Sequence, residues 1–339
     1  MDAQRRTDVR GDGAHLSFRG SAGSTSRIHV IFNPASGRGR GERRIPVYLD
    51  LLRHYVGSVQ HALTRAPGDE ARLAQEAINN GAETVVAVGG DGTWGRVADQ
   101  IVTSGAGVRL ATFPSGTGND FGRNLGLAYE GPKRAVRALV AGRVRRVDVG
   151  RVASASAPDE LAGHADNYRA RYFLNVVGFG FDVAVIDAAA GARFLRGAAL
   201  YKLTAVQQLF RYPGIEPAVA SASGAGHVGR HLIVTISNGR FFGGGFPIAP
   251  GASVDDGLLH ACLIKDAGPF RRAMLLSRAE RGHHVAEPEA DLISDRCFTV
   301  RFPEAGPPCR FEIDGDVYVS SVPTVEVEVL RSALEVIVP

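Results

Sequence analysis

The sequence predicts an α/β fold with an N-terminal parallel α/β domain and a C-terminal antiparallel β-rich domain. Three observations support this prediction. The chain has 339 residues, which is long for one average domain. Short apolar runs alternate with helical segments from about residue 28 to 142, which is typical of a parallel sheet. From about residue 147 onward most segments alternate apolar and polar residues with period two, which indicates antiparallel strands.

The N-terminal half contains four predicted strands, each followed by a predicted helix. The strands cover residues 28–32, 58–64, 84–90 and 108–116. The helices cover approximately residues 44–56, 68–82, 95–105 and 133–142. Right-handed crossovers place the loops that follow parallel strands along one edge of the sheet. We therefore expect the glycine-rich loops after the first, third and fourth of these strands to line one crevice.

The C-terminal half consists mainly of predicted strands, among them RRVDVGRVA, YRARYFLNVVGFGFDVAV, HLIVTISNG, LLHACLIKD, CFTVRF, CRFEIDGDVYVS and TVEVEV. A polar insert at residues 154–167 and one helix at roughly 187–211 interrupt them. The expected domains are residues 27–146 and 147–339, and the last residues could return to the first domain. Residues 1–26 have no apolar core, so we expect a disordered arm rather than a signal peptide.

Composition excludes several classes of protein. The net charge of +4 suits an acidic small molecule or an anionic surface, but it is too weak to indicate nucleic-acid binding. The three cysteines have no paired spacing, so we expect reduced thiols in a cytosolic protein. No run of about 18 apolar residues predicts a transmembrane helix.

Three glycine-rich loops carry the first functional signal: NPASG at 33–37, GGDGTW at 89–94 and PSGTGND at 114–120. Backbone N–H groups in such loops bind phosphate well, especially at the start of a helix. Glycine permits close backbone approach and positive φ. Each loop alone is also explained as a turn with a helix cap, through Asp91 or Thr93 in the second and Asn119–Asp120 in the third. No Walker loop occurs, and the loop after the first strand does not carry the dinucleotide fingerprint Gly-x-Gly-x-x-Gly.

These loops resemble the diacylglycerol kinase catalytic family, which includes sphingosine and ceramide kinases. The resemblance runs through FNPASGRG, VVAVGGDGTW, FPSGTGNDFGRNLG, NVVGFGFDVAV, NGRFFGGGFPIAPGASVDDGLL and FEIDGD, in the family's order. GGDGT alone is shared with NAD kinases and phosphofructokinases. The resemblance implies a nucleotide-binding α/β domain, a β-sandwich domain and ATP in the cleft between them.

The resemblance also implies a set of nucleotide-contacting positions. They are Asn33, Pro34, Ala35, Ser36, Gly37, Thr64, Gly90, Asp91, Gly92, Thr93, Trp94, Gly95, Arg96 and Thr117. Trp94, the only tryptophan, is interpreted as a packed residue rather than an adenine platform.

Two aspartates are the implied catalytic residues. Asp91 is expected to face the metal-bound phosphates, and Asp316 is expected to act as general base. The chain departs from the family at two positions: Asp316 stands where the family has glutamate, and Gly95–Arg96 stand where it often has Asn-Glu. A hairpin turn explains the Asp-Gly pair at 314–315 without catalysis.

A magnesium site is implied near SVDDGLL. Its ligands would be the Asp256 carboxylate with the backbone carbonyls of Ser253 and Leu258. A β-turn before a strand is the alternative, because Asp-Gly is a strong turn signal. A second Mg²⁺ is expected to arrive with ATP near Asp91.

The resulting hypothesis is an ATP-dependent lipid kinase that phosphorylates diacylglycerol or a related lipid alcohol. A kinase of a soluble acceptor such as NAD, and an inactive nucleotide- or lipid-binding regulator, remain alternatives. The segment at 187–211 mixes Phe194, Leu195, Leu200, Leu203 and Leu209 with Arg193, Arg196, Lys202 and Arg211. Such a helix can lie on an anionic membrane or pack on the β domain. The expected protein is cytoplasmic and peripheral at the inner membrane face, does not bind nucleic acid, and can form a homodimer.

Overall fold

The computed structural model describes residues 27–127, 131–154, 161–162, 170–191, 206–306, 308–320 and 322–339. The predicted disordered arm, most of the polar insert and residues 192–205 of the predicted amphipathic helix lie outside this part of the chain.

Besides a 3₁₀-helix at His283–Ala286, the described part contains seven α-helices. They are α1 (Ser36–Tyr55), α2 (Asp69–Asn79), α3 (Asp91–Ser104), α4 (Asp120–Asn124), α5 (Pro132–Ala141), α6 (Phe181–Gly191) and α7 (Pro269–Ala279). A further helical stretch covers residues 206–211.

The strands form two sheets. The strands are β1 (Ile28–Phe32), β2 (Gln60–Leu63), β3 (Thr84–Gly89), β4 (Arg109–Pro114), β5 (Arg143–Ser154), β6 (Leu161–Ala162), β7 (Ala170–Phe173), β8 (Val176–Gly180), β9 (Ala218–Ser221), β10 (Gly226–Val228), β11 (His231–Ser237), β12 (Leu259–Lys265), β13 (Ala290–Asp295), β14 (Cys297–Arg301), β15 (Cys309–Ile313), β16 (Asp316–Ser320) and β17 (Thr324–Val338).

The ten-stranded sheet begins with a parallel α/β part. Strands β2, β1, β3 and β4 pair in parallel in that order, because each is followed by a helix that crosses back over the sheet. Strand β3 is buried along its whole length, as its apolar run predicts. The loops after β1, β3 and β4 consequently leave the sheet at the same edge.

Strand β17 joins this parallel part to the strands of the second half. Its Val336 pairs in parallel with Leu110 of β4, whereas its N-terminal half pairs antiparallel with β14. Strand β5 runs antiparallel to β17 from Ser154 to Arg143. The last strand of the chain therefore contributes to both halves of one continuous sheet.

The second sheet is entirely antiparallel, in the order β13-β12-β11-β8-β15-β16-β6. It packs on the C-terminal part of the larger sheet through a core that includes Phe173, Phe179, Phe298 and Phe311. The architecture is therefore a parallel-rich α/β layer joined to a β-sandwich, which confirms the predicted fold class.

One local prediction in the second half is wrong, and one helix was not predicted. The run predicted as one strand through FGFDVAV ends at Gly180, whose φ is 117°, and α6 begins at Phe181. Glycine allows this abrupt strand-to-helix change. Helix α7 was not predicted; Pro269 occupies its first turn, where proline is favoured.

Candidate active site

The three glycine-rich loops meet at the edge of the parallel sheet. The hydroxyl oxygens of Ser36 and Ser115 lie 2.5 Å apart and share a hydrogen bond. The Asn33 side chain donates to the Thr93 hydroxyl at 3.0 Å. Residues from the loops after β1, β3 and β4 are thereby joined, although they lie up to 79 residues apart in the sequence.

Glycines make this convergence possible at two close contacts. A Cβ atom on Gly116 would lie 2.5 Å from the Cα of Gly90, so the second and third loops touch backbone to backbone. A Cβ on Gly37 would lie 2.1 Å from the Ser115 carbonyl oxygen, and its φ is +58°. Side chains at these positions would force the loops apart.

Helix α3 begins within this cluster, at Asp91. The N–H groups in the first turn of a helix have no partner inside the helix, and its dipole is positive at that end. The combination of a helix start and glycine-rich backbone favours a bound anion such as phosphate.

Asp91 and Asp120 place carboxylate oxygens beside this helix start. Asp91 Oδ1 accepts hydrogen bonds from the Phe121 N–H at 2.9 Å and the Asn175 side chain at 3.3 Å. Asp120 Oδ2 accepts from the Gly244 N–H at 2.7 Å. No hydrogen bond from the described residues reaches Asp91 Oδ2 or the buried Asp120 Oδ1, although Arg123 lies 3.6 Å from the latter.

The pKa of Asp120 reflects this crowding. Burial, and then the neighbouring charge of Asp91, raise the pKa of Asp120 to about 6. Two carboxylates with bare oxygens attract a cation, because the cation relieves both burial and mutual repulsion.

Asp314 lies deeper in the same region. Its carboxylate accepts the backbone N–H groups of Leu174, Asn175 and Val176 at 2.8 to 3.1 Å. Burial raises the pKa of Asp314 to about 7, against the three N–H donors that lower it. These contacts tie the β15–β16 turn to the segment before β8, so Asp314 supports the position of the turn.

Asp316 has a different environment, although it is only two residues away. Arg96 donates to Asp316 Oδ2 from Nη2 at 2.8 Å and from Nε at 3.1 Å. Arg96 Nη1 also donates to Glu70 at 3.3 Å. The two positions at which the chain departs from the resembled family are therefore in direct contact. Gly95, the other departing residue, leaves room for Asp314, because a Cβ there would lie 3.1 Å from its carboxylate.

Three predicted nucleotide-contacting residues lie at the margins of the cluster. Trp94 is fully buried and its indole N–H donates to the Ala87 carbonyl at 3.0 Å, so its side chain packs in the core. Thr64 follows β2, and its N–H donates to the Phe32 carbonyl at 2.9 Å, which places it beside the first loop. Thr117 is exposed in the third loop.

Comparison with known proteins assigns the family. The profile "Diacylglycerol kinase catalytic domain" matches residues 27–152, and "YegS C-terminal NAD kinase beta sandwich-like domain" matches residues 175–338. A Pseudomonas aeruginosa protein named "Probable lipid kinase YegS-like" is 34% identical over 67% of this chain and 70% of its own length. The chain belongs to the diacylglycerol kinase catalytic family.

Relatives in this family extend over nearly the whole chain. A Mycobacterium tuberculosis protein named "Diacylglycerol kinase" is 26% identical over 92% of this chain and 95% of its own length. A solved structure described as "a putative diacylglycerol kinase" from Bacillus anthracis aligns with a TM-score of 0.72, at 21% identity, over 93% of this chain and 97% of that one. This structural likeness shows that the fold is shared.

The loop at residues 253–258 offers fewer free oxygens to a metal than the Asp91–Asp120 pair. Asp256 Oδ2 accepts the Ser253 N–H at 3.0 Å and contacts His260 Nε2 at 2.9 Å, and Oδ1 accepts the Leu258 N–H at 2.9 Å. The Ser253 carbonyl accepts the Asp256 N–H at 3.3 Å. These contacts are those of a self-closed turn, so the loop is a poor fit for a cation in this conformation. The metal assignment of Ser253, Asp256 and Leu258 remains a prediction.

Sequence reasoning did not select four residues that the structure places in the cluster. They are Glu70, Ser115, Asp120 and Asn175. Asp120 and Ser115 lie in the predicted third loop, where Asp120 was interpreted only as a cap. Nothing in the sequence marked Glu70 as a site residue, because a glutamate in the first turn of a helix is explained by the helix dipole.

Proposed function

We propose that this chain is an ATP-dependent lipid kinase that transfers the γ-phosphoryl group of ATP to the hydroxyl of diacylglycerol or a related lipid alcohol. Membership of the family supports a lipid kinase. The observation that carries the proposal is the convergence of three glycine-rich loops on the start of α3, beside the bare oxygens of Asp91 and Asp120.

The loops would bind the phosphates of ATP. The donors would be backbone N–H groups that make no hydrogen bond within the described residues, such as those of Gly37, Gly92, Thr93 and Thr117, and the glycines would let the phosphates approach closely. Asn33 and Thr93 would fix the relative position of the first two loops through their mutual hydrogen bond. Phosphoryl transfer depends mainly on such positioning and on neutralisation of charge.

Asp91 and Asp120 would hold a Mg²⁺ ion that arrives with ATP. Magnesium in such sites typically uses one or two carboxylates together with substrate phosphates, which matches Asp91 Oδ2 and Asp120 Oδ1, the two oxygens that accept no hydrogen bond from the described residues. When bound, the ion would neutralise charge on the transferred phosphoryl group.

Asp316 would act as the general base. Both hydrogen bonds from Arg96 fall on its Oδ2, so its Oδ1 is the oxygen that can accept the proton of the lipid hydroxyl. The hydroxyl oxygen then bonds to the γ-phosphorus, the bond to the β,γ-bridging oxygen breaks, and ADP leaves.

The acceptor would be reached from a membrane surface by a cytoplasmic, peripheral protein. No helix in the described part of the chain is long and apolar enough to span a bilayer. Leu209, a residue of the predicted amphipathic helix, is buried in the core, whereas Val206 and Phe210 on the same helical stretch are exposed. Their exposure supports a contact made by this stretch with lipid. Phe194, Leu195, Leu200 and Leu203 lie outside the described residues.

The test is a transfer assay with purified protein, labelled ATP and Mg²⁺. The acceptors are vesicles that contain diacylglycerol, sphingosine or ceramide, and NAD in solution. We expect label in a lipid product. Label in NAD alone contradicts the proposal and supports a kinase of a soluble acceptor. ATP binding without transfer to any acceptor supports a regulator instead.

A further inference from the structure

A chain of side-chain contacts links the first glycine-rich loop to Asp316. Asn33 donates to Glu70 Oε1 at 2.9 Å, Arg96 donates to Glu70 Oε2 at 3.3 Å, and Arg96 donates to Asp316 Oδ2 at 2.8 Å. The chain passes through four separate elements: the loop after β1, then α2, α3 and β16. It therefore connects the two sides of the cleft.

Glu70 lies in the middle of this series of side-chain contacts. Its side chain is only 4% exposed, and it accepts hydrogen bonds from Asn33, Arg96 and the Gly68 N–H at 3.2 Å. A buried carboxylate is retained only if it is paired and hydrogen-bonded. Glu70 therefore holds Asn33 and one nitrogen of Arg96 in fixed positions relative to each other.

Arg96 is the partly exposed residue that joins Glu70 to Asp316. Its side chain is 26% exposed and lines a shallow, open pocket together with Gly92, Gly95, Asp314 and Asp316. Burial opposes its charge, yet Asp316 and Glu70 together raise the pKa of Arg96 above its ordinary value. A permanently charged planar group with a rigid fork of donors can hold two carboxylates in one orientation, which a lysine cannot do.

We propose that Arg96 is a positioning residue that couples the nucleotide-binding loop to Asp316. Arg96 holds Asp316 by Oδ2 and leaves Oδ1 for the acceptor hydroxyl, while Glu70 fixes Arg96 relative to Asn33. This inference rests on the proposed function, since it assigns a role to Arg96 within the same site. Arg96 acts through Asp316 and does not bind the nucleotide itself.

The test compares kcat, KM for ATP, the Kd of ATP and thermal stability in the full-length protein. The variants are Arg96→Gln, Arg96→Lys, Asp316→Asn and the double variant Arg96→Gln/Asp316→Asn. Arg145→Gln is the matched control, because Arg145 makes an ion pair with Asp255 at 2.6 Å outside the chain of contacts.

We expect Arg96→Gln to lower kcat by about 10- to 100-fold, since misplacement of a reacting group by about 1 Å can cost that much. The Kd of ATP should change by less than about threefold, the size of one weak contact. Arg96→Lys should recover part of kcat, and Arg145→Gln should retain all of it. Asp316→Asn should lose about 100-fold or more. The double variant should be no slower than Asp316→Asn, because residues that act as a unit are not additive.

Three results overturn the role of Arg96. One is a raised Kd for ATP with an unchanged kcat, which places Arg96 on the phosphates. Another is a double variant in which the two losses multiply. The last is a fall in stability that accounts for the whole loss of activity in Arg96→Gln. A wild-type protein with no transfer to any acceptor instead overturns the proposed function on which the role rests.

Discussion

The cleft around Asp91 and the loop around Asp256 contain the same kind of residues but differ in how their carboxylates are used. In both segments an aspartate stands next to a glycine in the sequence. In the cleft, Asp91 Oδ2 and Asp120 Oδ1 receive no hydrogen bond from the described part of the chain. In the loop, both oxygens of Asp256 accept backbone N–H groups, and one of them also contacts His260.

This difference shows what makes an aspartate a candidate ligand for a cation. Spacing and composition do not reveal whether the carboxylate is already satisfied by the backbone of its own turn. Asp91 is held by residues from other loops and keeps one oxygen bare. Asp256 closes a turn over residues 253–258 and has little capacity left.

The largest effect is expected in the cleft. Asp91→Asn keeps the shape of the side chain but removes the charge, so we expect a loss of phosphoryl transfer of about 100-fold or more. Asp256→Asn, the matched variant in the loop, should retain most of the activity. Labelled-ATP transfer measures both. Equal losses in the two variants would show that the two regions do not differ in function.

The next largest effect concerns the contact between the glycine-rich loops. Gly116→Ala places a Cβ within 2.5 Å of the Gly90 Cα, so the loops must separate and ATP affinity should fall by about tenfold or more. Gly251→Ala, next to the Asp256 loop, meets no atom within 4 Å and serves as control. Calorimetric titration with ATP measures both. Unchanged affinity in Gly116→Ala would mean that close packing of the loops is not needed for binding.

A third prediction uses the pH dependence of stability. Burial raises the pKa of Asp314 to about 7, from the ordinary value of 3.8. Between pH 3.8 and about pH 7, Asp314 therefore binds more protons in the folded protein than in the unfolded chain. This contribution to stability is fully present below pH 3.8 and is lost as the pH rises through about 7.

Denaturant unfolding from pH 4 to pH 8 measures this contribution. Over that range the free energy of unfolding should fall by at most about 1.4 kcal/mol per pH unit for this group. Asp314→Asn should flatten the slope, whereas Asp256→Asn should not. A slope that is the same in Asp314→Asn and in the wild type would contradict the assignment.

The smallest effect is expected in the loop. Asp256→Asn weakens the contacts that close residues 253–258, so the free energy of unfolding should fall by about 1–2 kcal/mol. The fall should be the same with EDTA and with Mg²⁺, because hydrogen bonds rather than a metal close the loop. A wild-type protein that is stabilised by Mg²⁺, together with an Asp256→Asn variant that is not, would instead support the metal site predicted from the sequence.

Much of the fold could be predicted because hydrophobic periodicity reports local structure. Strands β1, β3 and β4 lie within two residues of their predicted bounds, since each is an apolar run followed by glycine, proline or asparagine. The prediction was wrong at α6, where a mainly apolar segment passes at Gly180 directly from a buried strand into a helix. Periodicity cannot separate two buried elements that are equally apolar.

The site was predictable only in part, for a related reason. The glycine-rich loops have a local sequence signature, and their convergence follows from parallel strand order. Glu70 and Asn175 have no such signature. They reach the cluster because α2 and the segment before β8 pack beside it, and packing depends on the whole chain.

The sequence by itself determined the class of fold, the family and the three loops, because these depend on local patterns and on motifs of fixed spacing. Only the tertiary structure decided which carboxylates remain bare and which are engaged. Arg96 and Asp316 lie 220 residues apart and form an ion pair at 2.8 Å. Such a contact is set by the way in which the smaller sheet, which contains β16, packs on the larger sheet, whose two parts β17 joins, and no local pattern of residues encodes it.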